Sequence, residues 1–64
     1  MANVTFVNAN TGGNEVVSTS DIIVVKVYTD KVRVKYANNN IFATTASYLL
    51  AKAVLVANAV EILE

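Results

Sequence analysis

The stretch that decides the fold runs Ile22-Ile23-Val24-Val25-Lys26-Val27-Tyr28-Thr29-Asp30-Lys31-Val32-Arg33-Val34-Lys35-Tyr36. It alternates around a polar centre at Thr29-Asp30, and alternation with a period of two is the signature of strands that have one buried face. With Thr29-Asp30 as the turn, Tyr28 faces Lys31, Val27 meets Val32, Val25 meets Val34 and Ile23 meets Tyr36. A four-residue loop from Tyr28 to Lys31 gives the same pairs. One face of this hairpin is then wholly apolar: Ile23, Val25, Val27, Val32, Val34 and Tyr36. The other carries Val24, Lys26, Tyr28, Lys31, Arg33 and Lys35. A slip of one residue would mix the two sets, so the pattern itself fixes the register.

Downstream, the run Asn38-Asn39-Asn40 predicts a turn, because asparagine tolerates left-handed backbone and bonds its own main chain. After Ile41-Phe42, the composition from Ala43 to about Ala57 favours helix, with Thr44 or Thr45 as N-cap. The last stretch, Ala59 to Glu64, fits two patterns. Val60-Glu61-Ile62 alternates as a strand does, while Val60 and Leu63 continue a helical spacing. The expectation is a helix that continues, with a short edge strand as the alternative. Upstream, Val4 to Asn8 predicts a strand, and Glu15 to Ser18 a short partner across Asn10-Thr11-Gly12-Gly13-Asn14. The two glycines there lack the following Lys-Ser/Thr of a phosphate loop, and Glu15 places a negative charge where phosphate would sit. The expected fold is α+β, a small antiparallel meander of about three strands packed against one long C-terminal helix, with residues 1–64 forming a single domain.

The chain has 64 residues, 55% of them hydrophobic and 16% charged, with five basic and five acidic side chains and no His, Cys, Trp or Pro. These absences exclude disulfides, thiolate nucleophiles, imidazole metal ligands and any Ser-His-Asp arrangement. The acids Glu15, Asp21, Asp30, Glu61 and Glu64 are scattered, with nothing like the dense acidic loop of a calcium site. Ser47 and Lys52 lie about 140° apart on a helix and form no Ser-Lys pair. No catalytic residue, metal ligand, cofactor or small-molecule substrate is expected, and the chain is not expected to be an enzyme. The start lacks the basic and apolar regions of a signal peptide, so a cytoplasmic location is expected, in a host cell or associated with a virion. Asn3-Val4-Thr5 therefore matches a glycosylation acceptor by chance. Ile41 to Val60 is apolar enough to raise the question of a membrane span. Lys52 near its centre disfavours insertion by about 3 kcal/mol, and the stretch is expected to be a helix of the fold.

Two features predict partners. On a helical wheel, Tyr48, Leu49, Leu50, Val54, Leu55, Val56, Val60, Ile62 and Leu63 spread over more than one face, and a helix apolar on two sides is buried on two sides. One side covers the sheet. The other calls for a second copy of the chain, another protein or lipid, and Leu50, Val54, Leu55 and Ile62 are the expected oligomer interface. Alanines 43, 46, 51, 53, 57 and 59 suit close helix approach, although alanine is also simply a good helix former.

The second feature is a basic stripe. Lys26, Lys31, Arg33 and Lys35 share one hairpin face with Tyr28, and Lys26 stands opposite Arg33, which is unfavourable unless something neutralises them. Such a face has three readings: a solvated surface, a site for Glu15, Asp21 or Glu61 of a neighbouring subunit, or an anion and nucleic-acid face. The function expected is a non-enzymatic oligomeric structural, assembly or protein-interaction module. Its size and apolar character are those of small bacteriophage proteins, an analogy that no motif carries. The alternative is a small nucleic-acid-binding protein that uses the basic hairpin face.

Overall fold

The computed structural model describes residues 2–64. It is α+β, with strands β1 (Asn3–Val7), β2 (Asn14–Ser18), β3 (Ile22–Val27), β4 (Val32–Tyr36) and β5 (Asn39–Ala43), helix α1 (Thr45–Ala57) and a last short strand β6 (Ile62–Leu63). β1 and β2 form an antiparallel ribbon, and the second sheet has the order β5-β4-β3-β6. The two sheets meet at one bridge between Asn8 and Ala43. There Ala9 N–H donates to the Phe42 carbonyl at 2.7 Å and Thr44 N–H donates to that of Val7 at 2.9 Å. The antiparallel meander β3-β4-β5 has the expected three strands, and the β1–β2 ribbon and the parallel edge strand β6 are added to it.

The central hairpin keeps its predicted register over most of its length. Val27 pairs with Val32, Lys26 with Arg33, Val25 with Val34 and Val24 with Lys35, and Tyr28 N–H donates to the Lys31 carbonyl across a four-residue loop at 2.9 Å. It departs at Ile23. A bulge puts Ile22 opposite Tyr36, so Ile22 takes the inward seat and Ile23 stands 53% exposed instead of facing the core. The cause is the single 3-10 turn at Thr19–Asp21. It brings the Asp21 carbonyl to Ala37 N–H at 3.0 Å and extends the ladder with one residue too many on β3.

The asparagine turn is also displaced. The bend is Ala37-Asn38, with Ala37 at φ 49°, while Asn39 and Asn40 already pair with Tyr36 and Lys35 in β5. That shift places Ile41, Phe42 and Ala43 in a strand. The helix then starts at Thr45, where the Thr44 hydroxyl accepts from Ser47 N–H at 3.2 Å and the Ser47 hydroxyl donates to the Thr44 carbonyl at 3.0 Å. In the β1–β2 loop the Asn8 side chain accepts from the N–H groups of Asn10 and Thr11, and Gly12 takes φ 76°, the left-handed conformation that glycine adopts without strain.

The helix does not continue to the end of the chain. Asn58 caps it, and Ala59 turns left-handed at φ 57°. Ala59 N–H then donates to the Val56 carbonyl at 3.1 Å and Val60 N–H to that of Leu55 at 3.0 Å, the paired bonds that close a helix C-terminus. The chain turns back along β3, where Val25 N–H donates to the Glu61 carbonyl at 2.9 Å and Ile62 and Leu63 run parallel to Val25 and Lys26. This edge strand satisfies backbone that β3 would otherwise present to water and packs Val60 and Ile62 against the margin of the core.

The core contains Val4, Phe6, Val17, Val25, Val32, Val34, Ala43, Tyr48, Ala51 and Leu55. Each fully buried side chain such as Phe6, Leu55 or Val34 contributes about 1.5–3 kcal/mol of hydrophobic stabilisation. Among the described residues no helix is long and apolar enough to cross a membrane.

Candidate functional site

The core is built from the inward face of the four-stranded sheet, one side of α1 and Val4, Phe6 and Val17 of the β1–β2 ribbon, and the outer faces of the sheet and the helix are of opposite chemistry. On the sheet, pleating sends Lys26, Arg33 and Lys35 away from the core side chains Val25, Val32 and Val34. Lys31 closes the loop beside Tyr28. Register adds residues from the neighbouring strands: Phe42 lies opposite Arg33, Asn40 opposite Lys35 and Leu63 beside Lys26. The structure therefore brings all five predicted basic-face residues together and adds an aromatic that the sequence reading left out of the site. Phe42 becomes visible as a sheet residue only once the turn is set at Ala37-Asn38, because that starts the alternation of β5 at Asn39.

The two rings meet edge to face, with centroids 6.4 Å apart. Lys26 Nζ lies 5.4 Å from the Tyr28 centroid and Lys31 Nζ 4.7 Å from that of Phe42, so each ring is covered by an ammonium group. Further along, an open hollow of about 210 Å³ is lined by Val24, Lys26, Arg33, Lys35 and Leu63. Among the described residues the ion pair is Lys52–Glu64, away from this face, and Lys26, Lys31, Arg33 and Lys35 have no carboxylate within 4.0 Å.

The second face is the solvent side of α1. Ser47, Tyr48, Ala51 and Leu55 point into the core, whereas the outer side of the helix is formed by Ala46, Leu49, Leu50, Ala53, Val54, Val56 and Ala57, with the partly exposed Lys52 at its flank. Leu49 is 61%, Leu50 87% and Val56 60% exposed. Of the four expected interface residues, Leu50 and Val54 are on this face. Leu55 is fully buried and belongs to the interior of the chain, not to a surface open to a second copy, and Ile62 packs on the margin of the core. Beside the helix, Asn3, Val4 and Thr5 of β1 line a groove of about 310 Å³ with Leu50, Ala51 and Val54.

The charged residue of the helix is drawn aside. Lys52 Nζ donates to Glu64 Oε2 at 2.8 Å, and the buried Tyr48 hydroxyl donates to the same oxygen at 2.8 Å. The two hydrogen bonds and the Lys52 charge hold the Glu64 carboxyl below its ordinary range, and Glu64 in turn raises Lys52. Burial first, and then Glu64, pushes the Tyr48 phenol up. Ser47 is occupied as a helix cap and is not paired with Lys52. Comparison of the chain with protein-family models, with curated proteins and with solved structures finds no match, so what its faces do is argued from their geometry.

Proposed function

We propose that this chain is a non-enzymatic assembly module that associates with further copies of itself through the outer face of α1. One observation carries the reading: apart from Lys52, which is drawn aside to Glu64, the outer side of the helix carries only alanine, leucine and valine. An amphipathic helix on a soluble monomer turns charged or polar side chains to water, and contiguous apolar patches of this kind mark places where another surface belongs. The alanines at 46, 53 and 57 alternate with Leu49, Leu50 and Val56, so a second helix can approach closely between the larger side chains. The groove beside β1 extends the apolar surface beyond the helix itself. A standard interface covers about 800 Å² per partner, about a fifth of the 3927 Å² that one copy exposes. An isologous contact pairs the same face on both copies and closes on itself.

Light scattering coupled to size exclusion tests this at low and high salt. A discrete multimer of unchanged mass at both salts is expected, because apolar contacts are not screened. The double variant Leu49→Lys/Leu50→Lys is expected to run as a folded monomer, with the helical circular dichroism kept, since both side chains lie outside the core. A wild-type chain that stays monomeric at high protein concentration overturns the reading.

A further inference from the structure

The outer face of the four-stranded sheet presents cations, aromatic rings and an apolar hollow in one plane. Lys31, at the end of the loop, precedes Arg33 and Lys35 of β4, and alternate residues along a strand stand about 6.8 Å apart. That spacing is comparable to the separation of successive phosphates on an extended single strand. Lys26 stands opposite Arg33, a like-charge pair that raises the energy of the free face and that a bound anion relieves. At one end are Tyr28 and Phe42, and at the other Val24 and Leu63 form the apolar part of the hollow between Lys26, Arg33 and Lys35.

We propose that this face binds single-stranded nucleic acid. Phosphates follow the β4 cations, one base stacks on the Tyr28–Phe42 pair, and a second lies over Val24 and Leu63 in the hollow. The cation–aromatic contacts couple these events. In the free protein the Lys26 and Lys31 ammonium groups sit over the rings at 5.4 and 4.7 Å. A phosphate draws each ammonium toward itself and uncovers the ring for a base. A duplex lacks the unstacked bases that the rings require, and the face has no helix with which to enter a groove. The formal net charge of zero leaves affinity to these local contacts rather than to a long-range field. The proposal does not rest on self-association, because the sheet face and the helix face are separate surfaces.

The test is fluorescence anisotropy of the full chain with a labelled oligodeoxythymidylate, a duplex of equal length, and vesicles containing phosphatidylserine as the competing anionic surface. The single strand is expected to bind more tightly than the duplex. With four phosphate contacts, its affinity is expected to fall about 50-fold between about 50 and 200 mM salt. Arg33→Gln/Lys35→Gln halves the number of contacts and reduces that fall to about sevenfold. Tyr28→Ala weakens single-strand binding at least about fivefold while leaving the salt dependence in place. All three positions are exposed, and thermal melting verifies the fold of each variant. If the double variant melts early, Lys26→Gln read on the same salt dependence replaces it. Absence of single-strand binding up to about 100 μM protein at low salt overturns the proposal. Equal affinity for duplex and single strand that Tyr28→Ala does not change overturns it too, as does binding to the vesicles alone.

Discussion

The two outer faces of this molecule lie over the same core and are chemical opposites. The sheet face has four cations with no carboxylate near them, and the helix face has seven exposed positions with no polar side chain among them. Both are exposed in one copy, but water treats them differently. Ammonium and guanidinium groups on a pleated surface are well hydrated, so the sheet face is stable in solution and can exchange a partner reversibly. Leucine and valine on the outside of α1 gain nothing from water, and their burial returns about 25 cal/mol per Å². Under the function proposed above, the helix face takes a lasting partner, and the sheet face is suited to a transient one. The segregation also explains how a chain with equal numbers of acids and bases can carry a strongly signed surface: Glu15 lies in β2 of the separate ribbon, Asp21 and Asp30 in turns and Glu61 and Glu64 in the C-terminal stretch, none of them within β3, β4 or β5.

The largest expected effect separates the two sides of the helix itself. Leu55→Ala removes a side chain with no exposure and lowers stability by about 2–5 kcal/mol at any protein concentration, as measured by urea unfolding. Leu50→Ala removes one that is 87% exposed. In dilute solution it shifts the midpoint by no more than about 0.5 kcal/mol, and the deficit grows as protein concentration rises, because association adds stability by mass action. A Leu50 deficit that is large and independent of concentration would break the distinction between an inner and an outer side.

Where the sequence was legible, a periodicity spoke without competition. The β3–β4 register from Val24–Lys35 to Val27–Val32 follows from alternation alone, and the Thr44 cap follows from residue type. Two of the departures share one physical origin, a backbone conformation carried by a residue that does not advertise it. Left-handed φ falls on Ala37 and not on the asparagines beside it, and on Ala59 where helices usually end in glycine or asparagine. Without that signal the sequence leaves the helix end, and with it the edge strand that places Leu63 on the basic face, as one of two alternatives. The bulge at Ile23 depends on the neighbouring 3-10 turn, which no pairwise pattern encodes, and Phe42 was lost from the site because the turn was centred too late. This account gives the second prediction. Ala59→Gly removes the Cβ strain of a left-handed residue and stabilises the chain by about 1 kcal/mol, and Ala37→Gly acts in the same direction. Thermal unfolding of each variant checks it, and a lowered melting temperature for Ala59→Gly contradicts the account of how the helix ends.

The smallest expected effect lies at the seam between the faces, where β6 carries Leu63 on the sheet and Glu64 reaches the helix. The Lys52–Glu64 pair is exposed, and pairs of this kind add little in water. Its pH dependence is nonetheless defined in sign. Hydrogen bonds from Lys52 and Tyr48 hold the Glu64 carboxyl below its ordinary 4.5, so its stabilisation is fully present above that value and disappears as the pH falls through the lower folded one. On the alkaline side, Lys52 is raised above 10.5, chiefly by the Glu64 hydrogen bond, and Tyr48 above 10.0, chiefly by burial. Both therefore stabilise the neutral range and weaken as the pH climbs through their folded values. Glu64→Gln is expected to melt slightly below wild type at neutral pH and to converge with it in acid. A gap that persists in acid would assign the loss to packing instead of charge. Acid also frees Lys52 from its carboxylate, leaving an unpaired ammonium on the flank of the apolar helix face. Because every exposed neighbour on that helix is apolar, this one cation is expected to loosen the proposed contact between copies in acid.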